Sequence, residues 1–283
     1  MQIGIVLLAA AAMIAPGLAL AQPLPAAIRA QGFIRVGIEA TYPPMAYKDP
    51  ATNERRGVNV DLVTAIGREL GIEIRWEELT FAQLIPAITT RRVDFSGSAM
   101  TDLPSRRERL TFVDVVSTGA QIFTTTAQQR GAVRATDFCG RSVSTPRTTN
   151  YFSQAQAWSE ANCIAAGRPP MRVIGSDGAA ASRTDLMAGR ADGAILGAEF
   201  VVYLAQQNPG TFVAIGDPIS RNLSGMAFDR SQTELRDAVA GALTRLIASG
   251  ASAEILRRHG IGRQALGTIT IDADRAAAME KVA

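Results

Sequence analysis

Residues 57–100 run "GVNVDLVTAIGRELGIEIRWEELTFAQLIPAITTRRVDFSGSAM", and their apolar pattern changes period from segment to segment. In 58–71, Val60, Leu62, Val63, Ile66 and Leu70 recur at helical spacing, and Gly71 stops the run as a C-terminal helix cap does. "IEIRWEEL" then predicts a strand, "FAQLIPAITTRR" a second helix and "VDFSGSAM" another strand. Upstream, "FIRVGIEA" (33–40) alternates as a strand does, and "TYPPMAYKDPATNERRG" hangs from its C-terminal end as a turn-rich loop. The order is βαβαβ, which implies parallel strands with helices on both faces.

A second run of the same kind begins after Gly119. "AQIFTTTA" and "RSVSTP" predict strands, "NYFSQAQAWSEANCIAAG" a helix and "MRVIG" a strand. "RTDLMAGRADGAILG" repeats the helix, charged turn and strand order of "AQLIPAITTRRVDFSGS", each strand opened by an aspartate, Asp94 or Asp192. The echo predicts two α/β lobes of similar build. "SGMAFDR" follows as a strand, and "TELRDAVAGALTRLIASGASAEILRRHG" as two amphipathic helices closing the body. Residues 266–283 are expected to form a loosely held C-terminal tail.

The opening residues, "MQIGIVLLAAAAMIAPGLALA", form a long uncharged apolar run ending in Ala19-Leu20-Ala21, the small-x-small pattern of a cleavable export signal. Residues 1–21 are therefore expected to be removed, leaving an exported chain; an uncleaved anchor is the alternative, because the run lacks a Lys or Arg before it. The formal charge is +3 and the basic residues are scattered, which speaks against nucleic acid as a partner. Cys139 and Cys163 are the two cysteines of a chain bound for an oxidising compartment, so a disulfide is the leading reading and a pair of buried thiols the alternative.

The inventory for catalysis is thin. The single histidine, His259, follows a helix and precedes Gly260, where a C-capping cation is the ordinary role. No HExxH, CxxC or GxSxG spacing occurs, so neither a metal nor a cofactor is implied. What recurs is small polar loops after strand ends: Thr41 and Tyr42, Ser98 and Thr101, Thr148 to Asn150. In an open parallel sheet ligands bind outside the carboxyl ends of the strands, so these loops suit capture rather than conversion. "SAMTDLPSRRERLTFVDVV" (98–116) reads as a loop running into a helix start and carries Arg106, Arg107 and Arg109. Either all three are solvated helix charges, or one meets an anion beside Ser98 and Thr101.

Four stretches, "RVGIEATYPPMAYKDP", "GVNVDLVTAIGRELG" with "FAQLIPAITTRRVDFSGSAMTDLPSRRERLTFVD", "FCGRSVSTPRTTNYF" and "LMAGRADGAILGAEFVVYLA", together resemble the periplasmic solute-binding proteins of ABC transporters for polar amino acids, family 3. The resemblance implies a periplasmic-binding-protein-like (type II) fold, two α/β lobes joined by a double crossover and closing on a ligand. Lobe one would span 24–118 plus 230–265 and lobe two 119–229. It also implies a small carboxylate-bearing ligand, an inner-membrane ABC permease as partner, and a monomer. A cyclohexadienyl-type dehydratase on the same fold is the alternative, which would need Glu39 or Glu199 as a general acid.

By the same resemblance Arg106 clamps the ligand carboxylate with Thr101 beside it, and Arg107 and Arg109 are solvated. Tyr42 and Phe81 fall where aromatic rings sandwich the ligand, Ser98 and Ala99 offer it backbone groups, and Thr149 and Asn150 hydrogen-bond its carboxylate from lobe two. Glu39 matches an acidic position of relatives that prefer cationic side chains, and Cys139–Cys163 matches a pair found in one branch. Gly197 departs from the pattern: relatives carry there an aspartate that pairs with the ligand's α-ammonium, so common L-amino acids are expected to bind poorly. The nearest carboxylate in sequence is Glu199.

Overall fold

The computed structural model describes residues 23–273. The expected signal, 1–21, lies outside the described residues. Helix α1 (Ala26–Gln31) leads into β1 (Phe33–Ile38), and three short strands, β2 (Thr41–Tyr42), β3 (Ala46–Lys48) and β4 (Arg55–Arg56), form the turn-rich excursion. The deciding stretch follows as α2 (Val58–Leu70), β5 (Glu73–Glu78), α3 (Phe81–Thr89) and β6 (Phe95–Thr101). A single turn, α4 (Pro104–Arg107), precedes β7 (Leu110–Thr118). Next come β8 (Ala120–Thr125), β9 (Ser142–Pro146), α5 (Asn150–Asn162), β10 (Arg172–Ser176) and α6 (Ala179–Met187). β11 (Gly193–Gly197), α7 (Ala198–Gln207) and β12 (Phe212–Ala214) complete this run; β13 (Asn222–Asp229), α8 (Thr233–Ala248), α9 (Ala251–Arg258) and β14 (Ala265–Ile271) finish the chain.

Two sheets result, ordered β14-β7-β13-β6-β1-β5 and β10-β9-β11-β8-β12. Each holds a parallel block, β6-β1-β5 in one and β10-β9-β11 in the other, while the remaining strands pair antiparallel. The two strand-opening aspartates have one job. Asp94 Oδ2 accepts the Arg35 N–H of neighbouring β1 at 2.7 Å, and Asp192 Oδ2 accepts the Ser142 N–H of neighbouring β9 at 2.9 Å. Each staples its strand to the parallel partner.

Leu62, Val63 and Ile66 of α2 pack on Ile34 and Val36 of β1, and Phe95 stacks on Phe228 with centroids 4.9 Å apart. The second core gathers Ile122, Phe138, Val143 and Ile195. The chain passes between the sheets at Gly119 and returns at 215–221. These crossings touch: a Cβ on Gly119 would lie 2.1 Å from the Ser220 carbonyl oxygen, so only glycine fits.

The structure corrects three sequence-based expectations. Residues 98–116 are not a loop entering a helix: the helix is one turn, and the β-branched run after it is the nine-residue strand β7. β13, placed by chain order in lobe two, inserts between β6 and β7 of the first sheet, so the return crossing ends near residue 221 rather than 229. The segment expected as a loose tail from 266 is strand β14 through Ile271, its Thr and Ile residues extending the sheet along β7.

Cys139 and Cys163 form a disulfide with Cα atoms 5.5 Å apart, joining the approach to β9 to the end of α5. Closing a loop with a sequence separation of 24 stabilises by ~3 kcal/mol in the chain-entropy account. A Cys139→Ser/Cys163→Ser variant is therefore expected to unfold at lower urea concentration; an unchanged midpoint would contradict this.

Polar side chains pin β14. Asp272 accepts the Phe112 N–H at 2.8 Å and the Thr111 hydroxyl at 2.7 Å, and Thr270 donates to Asp114 Oδ2 at 3.1 Å. Asp114 is fully buried and its Oδ1 has no hydrogen-bond partner. Burial first, then the neighbouring Asp102 charge, push Asp114 up to about 8. A carboxyl raised on folding contributes stability at low pH that is lost as pH climbs through the folded value. Asp137, Asp185 and Asp192 are lowered by hydrogen bonds and act oppositely, but their contribution is complete above the ordinary carboxylate range. Between pH 5 and 8 the melting temperature is therefore expected to fall, and Asp114→Asn is expected to flatten the decline. A wild-type curve that rises over this interval, or one the substitution leaves unaltered, would refute the assignment.

Candidate functional site

A cavity of about 820 Å³ opens between the sheets, lined by the C-terminal part of β6 and by residues at or just beyond the ends of β1, β5, β9, β10 and β11. These are carboxyl ends of strands, where backbone groups run out of sheet partners. Eight of the ten residues singled out from sequence line it: Glu39, Tyr42, Phe81, Ser98, Ala99, Thr101, Thr149 and Asn150. Arg106 and Gly197 do not stand on its wall.

Three elements position the first-lobe residues. The Glu39 N–H donates to the Ser98 hydroxyl at 2.8 Å, which ties the end of β1 to β6 and spends the serine as an acceptor. Gln83 Oε1 accepts the Thr80 N–H at 3.0 Å, fixing the start of α3, so Phe81 in the first turn borders the cavity. The Arg106 guanidinium lies 5.8 Å from the Phe81 ring centroid and donates through Nη1 to the Thr101 carbonyl at 2.7 Å. Among the described residues it has no carboxylate partner; burial lowers its pKa, with Tyr151 and Asp102 opposing.

Its neighbour differs. Arg107, expected to be solvated, grips the buried Asp102 through two hydrogen bonds of 2.5 and 2.8 Å and donates also to the Ala273 carbonyl. Burial raises Asp102 and the Arg107 bond opposes it. A fork-to-fork pair at five-residue spacing across a tight turn is a tertiary geometry that helix spacing rules do not reveal. Arg109 is exposed, as expected.

From the second lobe, the N-terminal turn of α5 faces the cavity. Thr149 spends its hydroxyl on the Pro146 carbonyl at 2.9 Å, whereas Asn150 is buried and its Nδ2 has no hydrogen-bond partner. An orphan donor at the positive end of a 13-residue helix is suited to an anion.

Tyr42 crosses the cleft. Its hydroxyl accepts the Gly197 N–H at 2.9 Å and donates to Glu199 Oε1 at 3.3 Å, and its ring packs 4.8 Å from that of Phe200. Glu199 is 6% exposed, lines the cavity and receives the Thr118 hydroxyl on Oε2 at 2.6 Å. Burial raises Glu199, with Thr118 foremost among the opposing hydrogen bonds. Burial likewise raises Glu39, against the Thr41 hydroxyl and the Phe81 N–H. Neither carboxylate has a cation partner among the described residues. Sequence reading did not find Thr118 or Tyr151 as cleft residues; only the tyrosine carried a signal, its adjacency to Asn150. His259 caps α9 and makes a 2.9 Å contact with Asp61, away from the cleft.

Two α/β lobes, two crossings between them and a cleft at their strand ends define a periplasmic-binding-protein-like fold. The chain belongs to the bacterial extracellular solute-binding proteins, family 3, whose sequence profile matches residues 34–262. It is similar to the arginine-binding protein ArgT of Corynebacterium glutamicum, 28% identical over 238 residues that cover 84% of this chain and 77% of the relative. Among solved structures it resembles an ancestral arginine-binding protein bound to arginine, with a TM-score of 0.70 and 24% identity over 80% of this chain and 97% of that one. It also resembles an ancestral amino acid-binding protein described as a precursor of cyclohexadienyl dehydratase, with a TM-score of 0.71 and 23% identity over 82% of this chain and 97% of that one.

Proposed function

We propose that this protein is the extracytoplasmic receptor of an ABC importer, a periplasmic monomer that captures a basic α-amino acid by closure of its lobes and delivers it to an inner-membrane permease. The observation that carries the ligand class is the cleft's unmatched inventory. One guanidinium at the cleft's edge, Arg106, bonded to the carbonyl of the wall residue Thr101, and one orphan amide donor on the wall, Asn150, await an anion, while two wall carboxylates, Glu39 and Glu199, await cations. A carboxylate, an α-ammonium and a cationic side chain on one small molecule satisfy that set, and desolvated charges favour a ligand that pairs each of them. The arginine-binding relative from C. glutamicum supports the same class. This reverses the expectation drawn from Gly197 alone, because Glu199 supplies a second cleft carboxylate.

Phe81 and Tyr42 would flank the ligand's carbon chain, with Ala99 and Thr101 beneath it. Capture rather than dehydration is favoured by relatives named for binding. A thermal-shift panel of L-amino acids, opines and small organic acids tests the proposal. A ligand at a hundred times its dissociation constant adds about 2.7 kcal/mol, roughly 5–10 °C for a chain of this size. Basic amino acids should give the large shifts, and a panel in which only organic acids lacking an amine do so would overturn the ligand class.

A further inference from the structure

We propose that Gly197 and Glu199 act as one unit, in which the absent side chain at 197 is the space that lets the Glu199 carboxylate stand in the cleft and hold the α-ammonium of the ligand. The inference rests on the amino-acid receptor reading above and assigns a group within it.

The backbone does not require glycine at 197. Its φ of −63° and ψ of 144° are extended values that any residue adopts. What excludes a side chain is the neighbour: a Cβ there would lie 2.0 Å from Glu199 Oε1, 2.6 Å from Glu199 Cδ and 2.6 Å from the Tyr42 hydroxyl. The volume of a side chain at 197 is already filled, by a carboxylate that starts two residues later.

Placement at the start of α7 does not explain this arrangement. An acid in the first helical turn gains from the helix dipole while remaining in water. Glu199 is 6% exposed, and its partners outside its own helix are two hydroxyls, Thr118 and Tyr42, on the far side of the cleft. A carboxylate withdrawn from water with hydroxyl donors and no cation is a site waiting for positive charge.

Strand register identifies which cation. Ser224 of β13 pairs with Thr101 of β6 on one side and with Val116 of β7 on the other; Arg106 donates to the Thr101 carbonyl, and Thr118, two residues beyond Val116, donates to Glu199, so both charged groups are held at the same end of the first sheet. In an α-amino acid the carboxylate and the ammonium sit on the same carbon, and both must be met at one end of a cleft. Arg106 and Glu199 are at one end.

The test is calorimetric titration of the full chain with two probes, L-arginine and Nα-acetyl-L-arginine, which lacks the α-ammonium. Wild type is expected to bind L-arginine far more tightly than the acetylated form. Glu199→Gln should weaken L-arginine by about thirtyfold or more and narrow the gap between the probes. Gly197→Ala, whose methyl displaces the carboxylate without removing it, should narrow the gap in the same way. Because the readout is a ratio of two ligands on one protein, a general loss of folded material does not imitate it. Glu199→Gln with the wild-type ratio, or Gly197→Ala that binds L-arginine more tightly, overturns the inference while the receptor reading stands. Wild type that binds no α-amino acid overturns that reading and this inference with it.

Discussion

Replacing Arg106 with alanine is expected to abolish measurable capture of a carboxylate ligand while the ligand-free protein melts within a few degrees of wild type. Arg106 contributes one hydrogen bond to the fold, to the Thr101 carbonyl, and that acceptor sits beside a cleft that water can enter. Its remaining donors are the planar fork that a carboxylate matches, and the Phe81 ring limits where the fork can swing. A ligand carboxylate drawn into the closed cleft without its charged partner loses ~3 kcal/mol or more, at least a hundredfold in affinity. Calorimetry on the purified variant decides this, and an affinity within threefold of wild type would show that the anion is held elsewhere.

The adjacent substitution is expected to do the opposite. In Arg107→Ala the Asp102 carboxylate, buried and already raised by desolvation, keeps its burial and loses both guanidinium bonds. The bond from Arg107 to the Ala273 carbonyl goes as well, so the end of β14 loosens from the body. Breaking one side of a buried pair costs ~3 kcal/mol, or roughly 10 °C in melting temperature for a chain of this length. Folded protein at low temperature should still bind ligand, because Arg107 spends its guanidinium on Asp102 and the Ala273 carbonyl rather than on a cleft residue. Thermal melts of the two variants side by side check the contrast: Arg106→Ala keeps the melting temperature and loses affinity, and Arg107→Ala does the reverse. Equal loss of affinity in both would mean that the two arginines share one role.

The contrast also shows where sequence stops being informative. Helical spacing at Leu62, Val63 and Ile66, strand alternation at 33–40 and the twin aspartates Asp94 and Asp192 were legible because each obeys a local period or a local turn. β13 was misassigned because chain order does not say which sheet a strand joins, and β7 was hidden behind a Pro-Ser-Arg-Arg helix start only one turn long. In the site, loops at strand ends were legible as a class, and eight residues drawn from them or from the family resemblance do line the cavity. The pairing of Arg107 with Asp102 and the filling of the space at Gly197 by Glu199 are contacts set by tertiary approach, and no spacing rule encodes them.

The central claim, that the cleft reads a carboxylate and two cations on one molecule, is tested most directly by calorimetric titration of the wild-type chain with L-arginine and with agmatine, its decarboxylated form. L-arginine is expected to bind at one site per chain with micromolar or tighter affinity, and agmatine at least a hundredfold more weakly, because Arg106 and Asn150 then face no anion. Equal affinity for the two compounds, or no heat from L-arginine with correctly folded protein, would contradict it.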